Sequence, residues 1–161
     1  MPGAVEADFQ VVACRRTAHF LAEQALDLAA ATVPPDEDGV RMLQAMKTGA
    51  LIRFGCEAGA ILGNADAPEV ERMRSYGETI GLAFQLADDL IDATASAETA
   101  GKATAKDAGR GKATLVAVHG VDGALKLLDA AVEEALRILR PFGSRAEMLR
   151  AVARFVAARE A

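Results

Sequence analysis

An apolar helical stretch that carries three carboxylates and leads into a basic segment is the feature that most constrains this chain. Residues 72–92 place apolar side chains at helical intervals, with no proline and no β-branched run, which predicts a helix buried on several sides. Asp88, Asp89 and Asp92 interrupt this apolar pattern. Residues 93–101 have little apolar bulk and no period, so a loop is expected there.

The spacing of the acids predicts that they share one helix face. At about 100° per residue, Gln85, Asp88 and Asp92 lie along a single line, with Asp89 at its edge. Carboxylates at the end of an apolar helix lose hydration, repel one another and are disfavoured by the macrodipole. A hard divalent cation such as Mg²⁺, held by one or two carboxylates and by phosphate oxygens, would offset these effects.

The segment after the acids is basic and rich in glycine. Its four cations are Lys102, Lys106, Arg110 and Lys112. Glycines beside them let backbone N–H groups approach an anion closely. The nucleotide-binding spacing G-x-x-x-x-G-K-[ST] is not met, because Ala113 follows Gly111-Lys112 and position 106 is not glycine. A flap that closes over a diphosphate is favoured, and the alternative is a solvated acidic strip paired with Lys102 or Arg110.

These stretches resemble one enzyme family. FQLADDLID at 84–92 followed by GKATAKDAGRGKATLV at 101–116 is similar to the second aspartate-rich motif and lysine flap of the trans-isoprenyl diphosphate synthases, the farnesyl and geranylgeranyl diphosphate synthase family. MKTGALIRFGCEAGAILG at 46–63 resembles the Lys-Thr-Gly helix of that family. The blocks follow the family order from about Gln24 to the end of the chain.

The resemblance implies an all-α helical bundle, part of the terpenoid-synthase fold, and a prenyltransferase that condenses an allylic diphosphate with isopentenyl diphosphate. The implied cofactor is Mg²⁺, and its carried-over ligands are Asp88, Asp89 and Asp92. The carried-over diphosphate cations are Lys47, Lys102 and Lys112. The carried-over catalytic residues are Lys47, Thr48 and Gln85. Lys47 would hold the allylic diphosphate, Thr48 would lie beside the reacting carbon, and Gln85 and Thr48 would stabilise the cation or order the pocket. The family also implies a homodimer, or association with a missing N-terminal half.

One family feature is missing. The first aspartate-rich helix has no counterpart, because the only other acidic cluster, residues 36–38, follows Pro34-Pro35 and is typical of a turn and helix cap. The chain therefore resembles the C-terminal half alone, and we expect weak or no activity by itself. Two alternatives are a non-catalytic partner that packs on a full-length synthase, and a helical bundle with an acidic surface and no ligand.

Composition agrees with a single all-α domain over residues 1–161. Apolar residues make up 52% of the chain and aromatic residues 4%, which favours helices over sheets. The net charge of −5 argues against a nucleic-acid partner. The sequence shows no signal-peptide pattern and no apolar run long enough to cross a bilayer, so the predicted location is cytoplasmic rather than in a membrane. Cys14 and Cys56 are predicted to be reduced thiols.

The remaining helices are predicted from periodicity and caps. They are residues 5–31, residues 39–62 ending at Gly63-Asn64, residues 113–119 with a turn at His119-Gly120, residues 121–140, and residues 144–159. Close packing is expected at Gly49, Gly55, Gly59 and Gly63. Ser144 and Glu147 are expected to form a capping box, and Arg150, Arg154 and Arg159 a solvated face.

Overall fold

The computed structural model describes residues 38–39, 48–100 and 114–159, with side chains at all of these except 48 and 96–100. Within these ranges the chain forms four α-helices and one 3-10 helix and no strand, so the predicted all-α class is confirmed. The α-helices are α1 (Thr48–Leu62), α2 (Ala67–Ala100), α3 (Leu115–Ile138) and α4 (Glu147–Ala157). The 3-10 helix, Arg140–Ala146, joins α3 to α4. The predicted first helix, residues 5–31, lies outside the described ranges.

Helix α1 ends at the predicted position, and Asn64 makes the turn. Asn64 has a φ of 54°, in the left-handed region that asparagine tolerates better than most residues. The Ala65 N–H donates to the Ala60 carbonyl and the Asn64 N–H to the Ile61 carbonyl, both at 3.0 Å. This pair of bonds is a Schellman motif, which satisfies the last carbonyls of α1 and reverses the chain into α2.

The two helices then pack at very short range through glycines of α2. A Cβ on Gly81 would lie 2.7 Å from the Gly49 Cα, and a Cβ on Gly77 would lie 2.6 Å from the Arg53 Cα. Both distances are shorter than real Cβ contacts, so only glycine allows this separation. The packing role predicted for Gly55 and Gly59 is wrong, since a Cβ at either position would meet nothing within 4 Å.

A buried carboxylate also ties α1 to α2. Glu57 is 3% exposed, and its Oε1 accepts hydrogen bonds from Nη2 of Arg74 at 2.8 Å and from Nε at 3.2 Å. Arg53 lies on the other side, with its Nε 4.0 Å from Oε2 of Glu57 and its Nη1 2.6 Å from Oε1 of Glu78. The buried Glu57 carboxyl group is therefore held by guanidinium groups from both helices.

The main core forms where α2, α3 and α4 meet. Its fully buried large side chains are Tyr76, Leu86, Leu115 and Leu139. The Tyr76 hydroxyl donates to the Leu149 carbonyl at 2.8 Å, so a polar group inside the core joins α2 to α4. Cys56 is a free cysteine, and burial raises the pKa of its thiol to about 11. Cys14 lies outside the described residues.

Helix α2 continues past the predicted loop. The chain is helical through Ala100, so the loop predicted for residues 93–101 is wrong over 93–100. Alanine and glutamate have high helix propensity without needing an apolar face. The Thr94 hydroxyl is accommodated within the helix by donating to the carbonyls of Leu90 and Ile91 at 3.0 Å. The acids consequently lie well inside the helix, where the macrodipole has little effect.

The C-terminal helices match the prediction in part. Helix α3 is broken at Gly120, whose φ of 71° is left-handed, and this confirms the predicted turn. Ser144 lies inside the 3-10 helix, and α4 begins at Glu147 with Ala146 as its N-cap residue and no side-chain cap bond. The predicted capping box is therefore wrong, because Pro141 starts a tighter turn that holds Ser144 before the helix begins. No described helix is long and apolar enough to cross a membrane.

Candidate metal and diphosphate site

The three acids lie on the side of α2 that faces away from the core. The core side of α2 comprises the buried residues Tyr76, Ile80, Ala83, Leu86, Ala87 and Leu90. Helical spacing places Gln85, Asp88 and Asp92 on the opposite side, in line with Gly77 and Gly81. The face that holds α1 at the two glycines therefore continues directly into the acidic residues.

This arrangement sets where α1 stands relative to the acids. The chain enters the contact with α2 at Gly49 and Gly81, and Asp88 lies about two turns further along α2. Thr48 is helical and directly precedes Gly49, so its backbone lies at the same level as Gly81. The beginning of the described α1 therefore lies about two helical turns from Asp88 along α2.

Asp88 is in contact with the C-terminal end of the chain. Nη2 of Arg159 lies 2.9 Å from Oδ1 of Asp88. The same guanidinium lies over the Phe84 ring, with its Cζ 4.6 Å from the ring centroid. Phe84 and Asp88 are one turn apart on α2, so Arg159 spans an aromatic face and a carboxylate at once.

The contact of Arg159 with Asp88 shows that the solvated face expected for three arginines is wrong in part. Arg159 was expected on a solvated face, yet its side chain is only 26% exposed. Arg150 is also not solvated, because its Nη2 donates to the Leu139 carbonyl at 3.0 Å, whereas Arg154 is exposed as expected. Nothing in the sequence near Arg159 signals the contact, because Asp88 is distant in the chain and only the fold brings them together.

The other predicted site residues divide into two groups. Gln85 and Asp89 are partly buried on α2, and Asp92 is exposed. Of Thr48 only the backbone is described. The predicted diphosphate cations Lys47, Lys102 and Lys112 lie outside the described residues, and their roles stay predictions.

The acids suit a divalent cation chemically without forming a complete site. Within the described ranges, no three His, Cys, Asp or Glu side chains gather into a group that could hold a metal ion. Asp88 and Asp92, one turn apart on an accessible face, offer hard oxygen donors of the kind that Mg²⁺ takes together with phosphate oxygens. The residues therefore fit a metal that is shared with a bound diphosphate, and less well a metal held by protein alone.

Comparison with known proteins decides the family. Residues 8–153 match the family model described as polyprenyl synthetase. The chain belongs to the polyprenyl synthetase family. The match begins well before Gln24, where the resemblance in the sequence motifs starts, so the family relation extends further toward the N-terminus than those motifs indicate.

Relatives and solved structures of polyprenyl synthetases agree with this assignment. Geranylgeranyl pyrophosphate synthase 9 of Arabidopsis thaliana, a chloroplastic protein, is 35% identical over 147 residues, which cover 89% of this chain and 41% of that protein. An FPP/GFPP synthase structure from Zymomonas mobilis is 38% identical with a TM-score of 0.80, covering 94% of this chain and 51% of that one. A geranylgeranyl pyrophosphate synthetase structure from Pyrococcus horikoshii shares the fold, with a TM-score of 0.84, 24% identity, and coverage of 99% and 61%.

Proposed function

We propose that this polyprenyl synthetase family chain supplies the half of a prenyl diphosphate synthase that carries the second aspartate-rich motif. The whole enzyme would join an allylic diphosphate to isopentenyl diphosphate with Mg²⁺ as cofactor. The observation that carries the proposal is the line of Gln85, Asp88 and Asp92 on one face of α2, in which the Asp88 and Asp92 side chains are accessible, next to the face that contacts α1 at Gly49 and Gly81. Relatives named as geranylgeranyl diphosphate synthases support the same reaction class.

The chemistry requires charge to be stabilised on a leaving group. The allylic C–O bond breaks, the carbocation is attacked by the double bond of isopentenyl diphosphate, and a proton is then lost. Mg²⁺, when bound, would draw negative charge onto the leaving diphosphate. Asp88, Asp89 and Asp92 would hold that ion, either directly or through water.

The remaining residues would act on the diphosphate and the cation. Lys47, Lys102 and Lys112 would hold diphosphate oxygens and so orient the bond that breaks. The Gln85 amide, one turn before the acids, and Thr48 would lie beside the developing positive charge. Each assignment follows the family motif.

The chain spans only part of the length of its relatives. It covers about two fifths of the Arabidopsis synthase and about half of the Zymomonas structure. The first aspartate-rich motif is not found in the sequence, so a diphosphate would be gripped from one side only. We therefore propose that full activity needs a second acidic helix from another polypeptide segment.

Binding of inorganic pyrophosphate tests the site directly. Calorimetry with Mg²⁺ should show binding that is absent without Mg²⁺, and Asp88→Asn should weaken it roughly ten-fold, as expected for the loss of one contact to a charged group. Asp129→Asn removes the same charge from an exposed position on α3 and should leave the affinity unchanged. Binding that ignores both Mg²⁺ and Asp88 would contradict the proposal.

A non-catalytic partner of a full-length synthase is the second candidate. It is favoured by large apolar side chains that remain exposed, among them Leu51 at 63%, Met148 at 76% and Phe155 at 68%. Exposed apolar surface of this kind marks interfaces or aggregation sites. This candidate differs from the first in needing no carboxylate at Asp88.

A further inference from the structure

The guanidinium of Arg159 stands where a cation at Asp88 would stand. Its Nη2 lies 2.9 Å from Oδ1 of Asp88, which is the distance of a direct charge-assisted hydrogen bond. The pair joins the last turns of the described chain to the middle of α2. Arg159 therefore already neutralises part of the charge that the predicted magnesium would neutralise.

A further contact and the burial of one guanidinium nitrogen indicate that Arg159 has a defined position on α2. The Phe84 ring lies under the guanidinium at 4.6 Å and fixes its plane. Its Nη1 is buried and has no hydrogen-bond partner among the residues that the structure describes. A buried donor without an acceptor costs free energy, so the observed position is held mainly by Asp88 and Phe84.

We propose that Arg159 is an internal counter-ion of the metal-free site, which competes with a divalent cation for Asp88 and releases the C-terminal end of the chain when the cation binds. The inference rests on the proposed function, because it takes Asp88 to be a metal ligand. Arg159 is then a positioning residue: it keeps the Asp88 carboxylate oriented and compensated until the metal arrives. The two cations cannot both take the same carboxylate oxygen at full strength.

Metal affinity in the absence of any diphosphate separates competition from a purely structural role. Mn²⁺ serves as the probe, because its binding can be followed by electron paramagnetic resonance. Arg159→Gln should tighten Mn²⁺ binding about two- to five-fold, the range that corresponds to removing one partly exposed ion pair. Arg159→Lys keeps the positive charge near Asp88 and should restore most of the wild-type affinity.

A matched control removes the general effect of net charge. Arg154→Gln removes the same charge from α4, close in sequence to Arg159, but the Arg154 side chain is 60% exposed and its Nη1 lies 3.7 Å from Oε1 of Glu147 instead of contacting Asp88. It should leave Mn²⁺ affinity within error of the wild type. Equal affinities for Arg159→Gln and Arg154→Gln would overturn the inference.

Hydrogen exchange gives a readout that needs no turnover. Saturating Mn²⁺ should speed amide exchange in residues 155–159 of the wild type, and Asp88→Asn should do the same without metal. Metal binding with unchanged exchange would overturn the inference and leave the proposed function intact. Failure of every variant to bind Mn²⁺, with or without pyrophosphate, would overturn the proposed metal site and the competition together.

Discussion

At the scale of single residues, the charged pairs among the described residues include some that are buried and others that are largely accessible to solvent. Glu57 belongs to the first kind, since it is 3% exposed and lies between Arg53 and Arg74. Asp88 belongs to the second, because its side chain is 46% exposed and its partner Arg159 arrives from the end of the chain. The sequence motif distinguished Asp88 but gave no sign of Glu57.

Replacing Glu57 tests the stabilising pair. Glu57→Ala leaves Arg53 and Arg74 facing each other without the carboxylate, and should lower the free energy of unfolding by about 2 kcal/mol or more, discounted because Arg74 is partly solvated. Chemical denaturation followed by circular dichroism measures this. Glu78→Ala removes a half-exposed partner of Arg53 and should cost less than about 1 kcal/mol. Equal losses of unfolding free energy for both variants would show that the burial of Glu57 does not increase its contribution to stability.

At the scale of helices, the separation of α1 and α2 depends on two glycines and not on glycine content in general. The sequence correctly predicted the helix over residues 48–62 and its end, because the apolar period and the Gly63-Asn64 signal are local. It could not tell which glycines meet another helix, since that depends on the crossing of α1 and α2. The sequence-based prediction also placed the end of α2 too early, because residues 93–100 have helix propensity but no apolar face.

Alanine substitutions separate the two kinds of glycine. Gly81→Ala gains about 1 kcal/mol of helix propensity but forces a Cβ to 2.7 Å from the Gly49 backbone, so the net effect should be a loss of stability of about 1–3 kcal/mol. Gly55→Ala meets open space and should stabilise the protein by up to about 1 kcal/mol. Thermal unfolding of the two variants should therefore shift in opposite directions, and a shift in the same direction would refute the close contact.

At the scale of the whole molecule, the motifs predicted the all-α fold and the family, because they are contiguous in sequence. FQLADDLID at 84–92 and the Lys-Thr-Gly helix were sufficient for the family assignment that the comparisons establish. The contact between Asp88 and Arg159 could not be predicted, since it joins two distant segments through tertiary packing. The roles of Lys47, Lys102 and Lys112 remain predictions from the family motif.

A turnover assay distinguishes the two candidate functions. The purified chain with Mg²⁺, dimethylallyl diphosphate and isopentenyl diphosphate should form little product if, as proposed, full activity needs a second acidic helix from another polypeptide segment. Efficient product formation would refute the need for a second acidic helix. If the chain is a non-catalytic partner, the wild type and Asp88→Asn should change the product of a full-length synthase to the same extent. If the chain is a catalytic half, Asp88→Asn should lose the contribution to product formation that the wild type makes.

The continuous helix α2 restricts where related sequences can gain or lose residues. Gly81 and Asp88 lie on one uninterrupted rod, so an inserted or deleted residue between them would rotate the carboxylates by about 100° and displace them by about 1.5 Å relative to α1. No nearby bend exists that could absorb such a change. Insertions and deletions among homologues should therefore fall outside residues 77–92. Outside this range they do not change the orientation of the carboxylates relative to the two glycines.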